Sequence, residues 1–340
     1  MKEWNEAKLD QELNALLSEI PETEQDEFEK RVEKYINRRI RKIVHKTLTS
    51  VLVIIILLLG IINPFLNLCC LNPTKMNEAD TISIYHDVMQ DYYETTSPFT
   101  EITHMEVKKK GFSRYEIIMT VSNHTEPLIW GRSNVTWDMA MGKITHTNDN
   151  NGYLATKMGR FDILHYVENS KGDLIQVHPF KQEAIEQIQK LPESSNIYLC
   201  LTAEEPQTLD SIRSYNVKLD WIQIYQPNVD FNGGLSLHLQ AAYKDTDKRS
   251  EMSDKELLDV YLSNLENLIA HKDMWHQFDL PSGNVVYCDA NLIDKTYEDA
   301  KTLESLKTKN YCIYGERDNI LSYLENTDLT SVFIEDITLY

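Results

Sequence analysis

From Leu48 to Leu71 the chain runs for 24 residues without a charged side chain, and no other feature limits its fold so sharply. At the α-helical rise this is about 36 Å, against a bilayer hydrocarbon core of about 30 Å. Within it VLVIIILLLGII is interrupted only by Gly60, and Asn63, Pro64 and Asn67 then dilute the outer third. The expected element is one transmembrane helix over 48–71, kinked or thinned near Pro64 because proline removes a backbone donor. The competing element is a buried helix of a soluble core, which a run of this length disfavours.

Charge orients the span. Lys30, Arg31, Lys34, Arg38, Arg39, Arg41, Lys42 and Lys46 precede it, whereas Lys75 is the single basic residue among the twenty that follow. By the positive-inside rule the N-terminus is cytoplasmic and the larger C-terminal part extracytoplasmic. A cleavable leader would carry its apolar core nearer the first residue, and bulky Leu68 before Cys69 and Cys70 does not suit a lipoprotein box, so the helix reads as an uncleaved anchor. The two cysteines suit acylation, an intermolecular bridge, or plain interfacial packing.

The net charge of −19 hides a segregation. Residues 1–29 carry two basic and ten acidic side chains, residues 30–47 eight and one, and the remainder 24 and 42. Direct nucleic-acid binding is not expected, since the phosphate backbone calls for a basic surface. In the first segment Leu9, Leu13, Leu16, Leu17 and Ile20 line one face of a helix, with Trp4 near its entry and Pro21 after it. A capping box over Thr23–Asp26 is expected to open a second helix, on which Phe28, Val32, Ile36, Ile40 and Ile43 continue as a stripe into the span.

A stretch of some 47 residues cannot bury a core alone, so its apolar faces need company. That company is the other helix in a hairpin, the inner leaflet, or another protein. The acidic residues of 1–29 are repelled by an anionic leaflet, and a protein with a basic surface is the better complement. The candidate partner-binding residues are Trp4, Leu9, Leu13, Leu16, Leu17, Ile20, Phe28 and Val32; Arg38, Arg39, Arg41, Lys42 and Lys46 set topology.

Beyond the span the alternation of patterns predicts an α+β region of one or two domains. A helix is expected in EADTISIYHDVMQDYYETT, strands in ITHMEVKKKG and SRYEIIMTVSN, a loop in HTNDNNG, and a strand in RFDILHYV. Further on come a helix in KQEAIEQIQKLPESS, a strand in NIYLCLTA, a helix in QTLDSIRSYN, and strands in VKLDWIQIYQP and GLSLHLQAAY. A helical block follows from Ser253 to about Trp275, then a helix in DKTYEDAKTLESLK, a strand in NYCIYGE, a helix in RDNILSYLENT and a closing strand in SVFIEDITLY. A break near 148–158 would divide a membrane-proximal module, 72–158, from a distal one, 159–340. Cys200, Cys288 and Cys312 allow one disulfide or three buried thiols. No phosphate-binding glycine loop, nucleophile elbow or zinc spacing is present, so neither catalysis nor a cofactor is expected. Tyr92, Tyr93, Phe99, Trp130 and Trp137 read as core rather than as a ligand surface.

The stretch KLPESSNIYLCLTAEEPQTLDSIRSYNVKLDWIQIY, with Leu191 and Pro192 before one strand and Trp221 in the next, resembles the C-terminal region of the sigma factor regulator family, membrane-bound anti-sigma factors of Gram-positive bacteria. NYCIYGERDNILSYLENTDLTSVFIEDI is similar to that family's closing strand, helix and strand, with Leu321 and Leu324 on the helix. RVEKYINRRIRKIVHKTLTSVLVIIILLLG is similar to its basic helix leading into a single span. The similar stretches cover most of 30–110 and about 180–340; residues 1–29 have no matching counterpart. The resemblance implies an inner segment (1–47) that holds an extracytoplasmic-function sigma factor and an outer region answering to envelope conditions. Membrane lipid around 48–71 follows from the apolar run, and whether the outer region takes a ligand or a second membrane protein stays open. The alternative is a tethered extracytoplasmic binding or envelope-assembly module without a sigma partner.

Overall fold

The computed structural model describes residues 22–76, 82–96, 100–125, 128–148, 165–168, 174–177, 181–229, 233–237, 249–278 and 292–339. The chain divides into two units, Met1–Phe65 and Leu66–Tyr340.

The described part of the first unit is helical. Helix α1 runs without a break from Glu22 to Leu57, a π turn covers Leu58–Ile62, and α2 continues over Asn63–Cys69. The π turn is where Pro64 makes itself felt: its ring cannot sit against the carbonyl of Gly60 four residues back, and the backbone widens one turn earlier. The Asn63 N–H accordingly reaches the Leu58 carbonyl, five residues back. The distortion expected near Pro64 is thus a local widening of the helix, with the hydrogen bond spanning five residues instead of four. The Thr23 capping box is corrected, because α1 already includes Glu22 and Thr23. Thr23 therefore lies inside the first turn, among acidic residues that favour a helix N-terminus through its dipole. Among the described residues one helix, Val32–Cys69, is long and apolar enough to cross a membrane.

In the second unit a four-stranded meander is built from β1 (Thr100–Gly111), β2 (Arg114–Thr125), β3 (Leu128–Ala140) and β4 (Lys143–Asn148), each antiparallel to the next. The loop expected in HTNDNNG starts late, since His146, Thr147 and Asn148 pair with β3. The β3–β4 reversal places Met141 and Gly142 at φ 52° and 78°, the double positive φ that a two-residue hairpin needs. Every second residue from Tyr115 to Val121 in β2 (Tyr115, Ile117, Met119, Val121) and from Val135 to Met139 in β3 (Val135, Trp137, Met139) is buried, as the pleat requires.

A short hairpin pairs β5 (His165–Glu168) with β6 (Leu174–Val177). The larger sheet follows: α4 (Lys181–Gln189), β7 (Asn196–Thr208), α5 (Leu209–Arg213), β8 (Lys218–Gln223) and β9 (Gly234–Ser236). Next come α6 (Asp254–Ala270), α7 (Lys272–Trp275), α8 (Ile293–Ala300), β10 (Lys307–Glu316), α9 (Arg317–Asn326) and β11 (Leu329–Thr338). The strand order is β11-β7-β10-β8-β9, antiparallel throughout. Helices α5 and α9 therefore join parallel strands that each straddle a third, a split β-α-β arrangement.

Two helices are shorter than their sequence patterns. Gln207 and Thr208 complete β7, and the Thr208 hydroxyl caps α5 by accepting the Ser211 N–H at 3.3 Å. Helix α8 stops at Ala300; the chain then turns so that Leu306 is buried, its N–H donating to Asp254 Oδ2 at 3.2 Å. At the start of α6, Ser253 and Glu256 form a reciprocal capping box.

Helix α3 (Ile84–Thr96) is the hub. Tyr85 and every residue from Val88 to Thr96 are buried, which marks a helix enclosed on all sides. It packs against β1 on one flank and against α6, α7 and β9 on others. Gln277 adds a second tie, accepting the Ile144 N–H at 2.7 Å and donating to the Gly142 carbonyl at 2.8 Å. Residues on the two sides of the break expected near 148–158 thus share one hydrophobic core, while 149–164 lie outside the described residues.

Candidate functional site

The apolar stripe from Val32 to Ile43 lies on α1. At 100° per residue Val32, Ile36, Ile40 and Ile43 fall within an arc of about 80°. Ile36, Ile40 and Ile43 are 49%, 51% and 59% exposed and Val32 is half-buried. Arg38, Arg39, Arg41, Lys42 and Lys46 are exposed on the remaining faces. Phe28 shares the helix, but its side chain lies outside the described residues, as do Trp4, Leu9, Leu13, Leu16, Leu17 and Ile20 altogether. At the entry to the apolar run, the Thr49 and Ser50 hydroxyls donate to the carbonyls of His45 and Lys46 at 2.8 and 2.9 Å. That back-bonding leaves no unmet hydroxyl donor at the edge of an apolar medium. No residue of the π turn or of α2 is buried, so a soluble core helix does not describe this segment.

The second unit contains a buried polar knot that the sequence did not disclose. Glu94 on α3 and Arg249 are ion-paired with side-chain exposures of 0% and 5%. The second Glu94 oxygen accepts from Asn264 Nδ2 at 3.2 Å, the first also takes the Ser236 N–H at 3.3 Å, and Arg249 Nη1 donates to the Ser236 carbonyl at 2.9 Å. The Trp221 indole N–H meets the Glu94 carbonyl at 3.0 Å. Alternation along the chain could not signal this, because the partners come from four separate segments. The knot is mutually satisfied, and its chemistry is structural: it fixes α3 to β9 and α6.

Gly234 belongs to the same packing. A Cβ there would stand 1.8 Å from Trp221 Cζ2, so only glycine lets β9 lie beside the indole. Nearby, the Tyr261 hydroxyl accepts the Gly233 N–H at 3.1 Å and donates to Gln226 Oε1 at 3.2 Å.

The two faces of the larger sheet differ. Ile197, Leu199, Leu201, Tyr311 and Ile313 enter the main core, while Tyr198, Cys200, Trp221, Cys312 and Tyr314 form a second cluster. In the latter the Tyr198 hydroxyl donates to Asp220; burial above all, and then the Asp220 charge, push that phenol well above its usual range. Burial likewise raises the Cys312 thiol. Tyr92, Tyr93 and Trp137 are core residues; Phe99 and the Trp130 side chain lie outside the described set. His271 and His276 each meet a carbonyl four residues back in their own helix, at 3.0 and 2.7 Å.

A shallow groove of 520 Å³ runs along Lys46, Thr49, Ser50, Val53 and Ile54 on α1; in the second unit, clefts of 270 and 230 Å³ are lined by Arg213, Lys218 and Ser250 and by Glu204, Glu205 and Asp328 respectively, among others. Both clefts fall below the ~300 Å³ at which ligand pockets commonly begin. Comparison with protein-family models, curated proteins and solved structures returns no match.

Proposed function

We propose that the chain is a single-pass membrane protein with its N-terminus in the cytoplasm, an anti-sigma factor whose inner arm sequesters a sigma factor and whose outer unit governs that hold. The observation that carries this reading is the continuity of α1 through an exposed isoleucine stripe into the apolar run. With Leu48 at the hydrocarbon boundary, Ile40 and Ile36 stand about 12 and 18 Å further along the axis, past a headgroup layer of about 5–8 Å. Lipid cannot cover them, and water does so only at a cost of about 1.5–3 kcal/mol per side chain. A protein surface is what the stripe fits, and the acidic residues ahead of it favour a basic one.

The eight cations of residues 30–47 support the inward orientation. The resemblance to membrane-bound anti-sigma factors supplies the partner class. Release then requires that an event in the outer unit change the free energy of the bound arm, by proteolysis, oligomer change or movement of the span.

The test is purification of the full chain from host membranes in mild detergent, beside a chain lacking residues 1–29, with mass spectrometry of what accompanies each. A sigma factor is expected with the first and not with the second. Its absence from both would leave the tethered extracytoplasmic module as the better description.

A further inference from the structure

Cys200 and Cys312 come together although 112 residues separate them in the chain. They are direct cross-strand partners in the antiparallel pairing of β7 with β10, at the centre of the larger sheet. Residues directly opposite in such a ladder hold their Cα atoms about 4.5–5.5 Å apart, inside the range that a disulfide accepts. The two sulfurs are 4.0 Å apart, with the Cys312 thiol directed at Cys200, so about 2 Å separates this contact from a covalent bond. Both side chains are buried, at 1% and 0% exposure, among Tyr198, Trp221 and Tyr314.

We propose that Cys200 and Cys312 are a disulfide-forming pair that closes when the chain folds in the presence of a disulfide oxidant. One cysteine, as thiolate, attacks a sulfur of the oxidant's disulfide, forming a mixed disulfide and expelling one thiol. The other, as thiolate, then attacks the protein sulfur of that mixed bond and expels the second thiol. The pair loses two electrons and two protons, and the oxidant's disulfide becomes two thiols. In the folded sheet the thiols are enclosed, and desolvation suppresses the thiolate of Cys312, so the exchange belongs to folding or to local opening. Once closed, the bond ties off a long loop between central strands, the case in which a cross-link stabilises most. The proposal holds for any compartment that offers such an oxidant and does not depend on the sigma partner.

The experiment uses the full chain in detergent, unfolded and reduced, then refolded with a mixture of glutathione and glutathione disulfide. Non-reducing digestion should yield a peptide pair linking Cys200 to Cys312, in wild type and in Cys288→Ser alike. The oxidised form should melt about 10 °C above the reduced form. Cys312→Ser and Cys200→Ser should each abolish the link and the shift, whereas the folded reduced protein should resist the same oxidant. Recovery of both cysteines as thiols, or linked only through Cys288, Cys69 or Cys70, would overturn the proposal.

Discussion

Arg249→Met lowers the melting temperature of the second unit by about 10 °C or more. Arg249 and Glu94 face each other with almost no solvent, and Glu94 sits on the helix around which the unit is packed. Removing the guanidinium leaves a buried carboxylate with only Asn264 and the Ser236 N–H for company. Breaking one half of a buried pair costs about 3–5 kcal/mol, and about 2–4 °C accompanies each kcal/mol in a unit of this size. Three fully buried tryptophans, Trp137, Trp221 and Trp275, provide the fluorescence signal for thermal unfolding. The double variant Glu94→Gln, Arg249→Met removes both charges and should recover part of the loss. A single-variant shift under about 2 °C would mean that the knot is not what fixes α3 to its neighbours.

On the proposed reading, Ile36→Ala with Ile40→Ala loosens the complex of α1 with its protein partner by about three orders of magnitude. Each substitution removes three carbons, worth about 0.8 kcal/mol apiece when buried by a partner, or about 5 kcal/mol for the two. Alanine is the best helix former, so α1 itself should persist, and circular dichroism checks that it does. Asn37→Ala, on the same helix and off the stripe, serves as the control. The readouts are the affinity of the solubilised chain for its co-purifying partner and transcription from that partner's promoters, which should rise. Unchanged affinity with intact helicity would assign the stripe to some other surface.

Much of the fold was legible because it is local. The apolar run predicted a membrane-length helix, and the two-residue alternation in ITHMEVKKKG, SRYEIIMTVSN and NYCIYGE predicted β1, β2 and β10. The Leu257, Tyr261, Leu265 and Leu268 spacing predicted the buried side of α6. What failed is what depends on distant partners. The pattern of EADTISIYHDVMQDYYETT predicted a helix but not that α3 is enclosed, because the groups that satisfy Glu94 lie some 140 residues and more along the chain. The same reason hid the meeting of Cys200 with Cys312, since strand order cannot be read from either strand. At the candidate site the periodicity exposed both the stripe from Val32 to Ile43 and its continuation into the apolar run, and α1 carries the two without a break. Thr23 was misassigned because a good cap sequence does not prevent a helix from starting earlier.

The most direct measurement is the side of the membrane on which each lysine lies. Intact cells are treated with a membrane-impermeant amine reagent and the modified lysines are mapped by mass spectrometry. An inward N-terminus predicts label on Lys143, Lys190 and Lys301, which are exposed on the outer unit, and none on Lys2, Lys8 or Lys30 until the membrane is opened. Label on Lys2 or Lys8 in intact cells would place the arm outside and contradict a cytoplasmic protein partner for it.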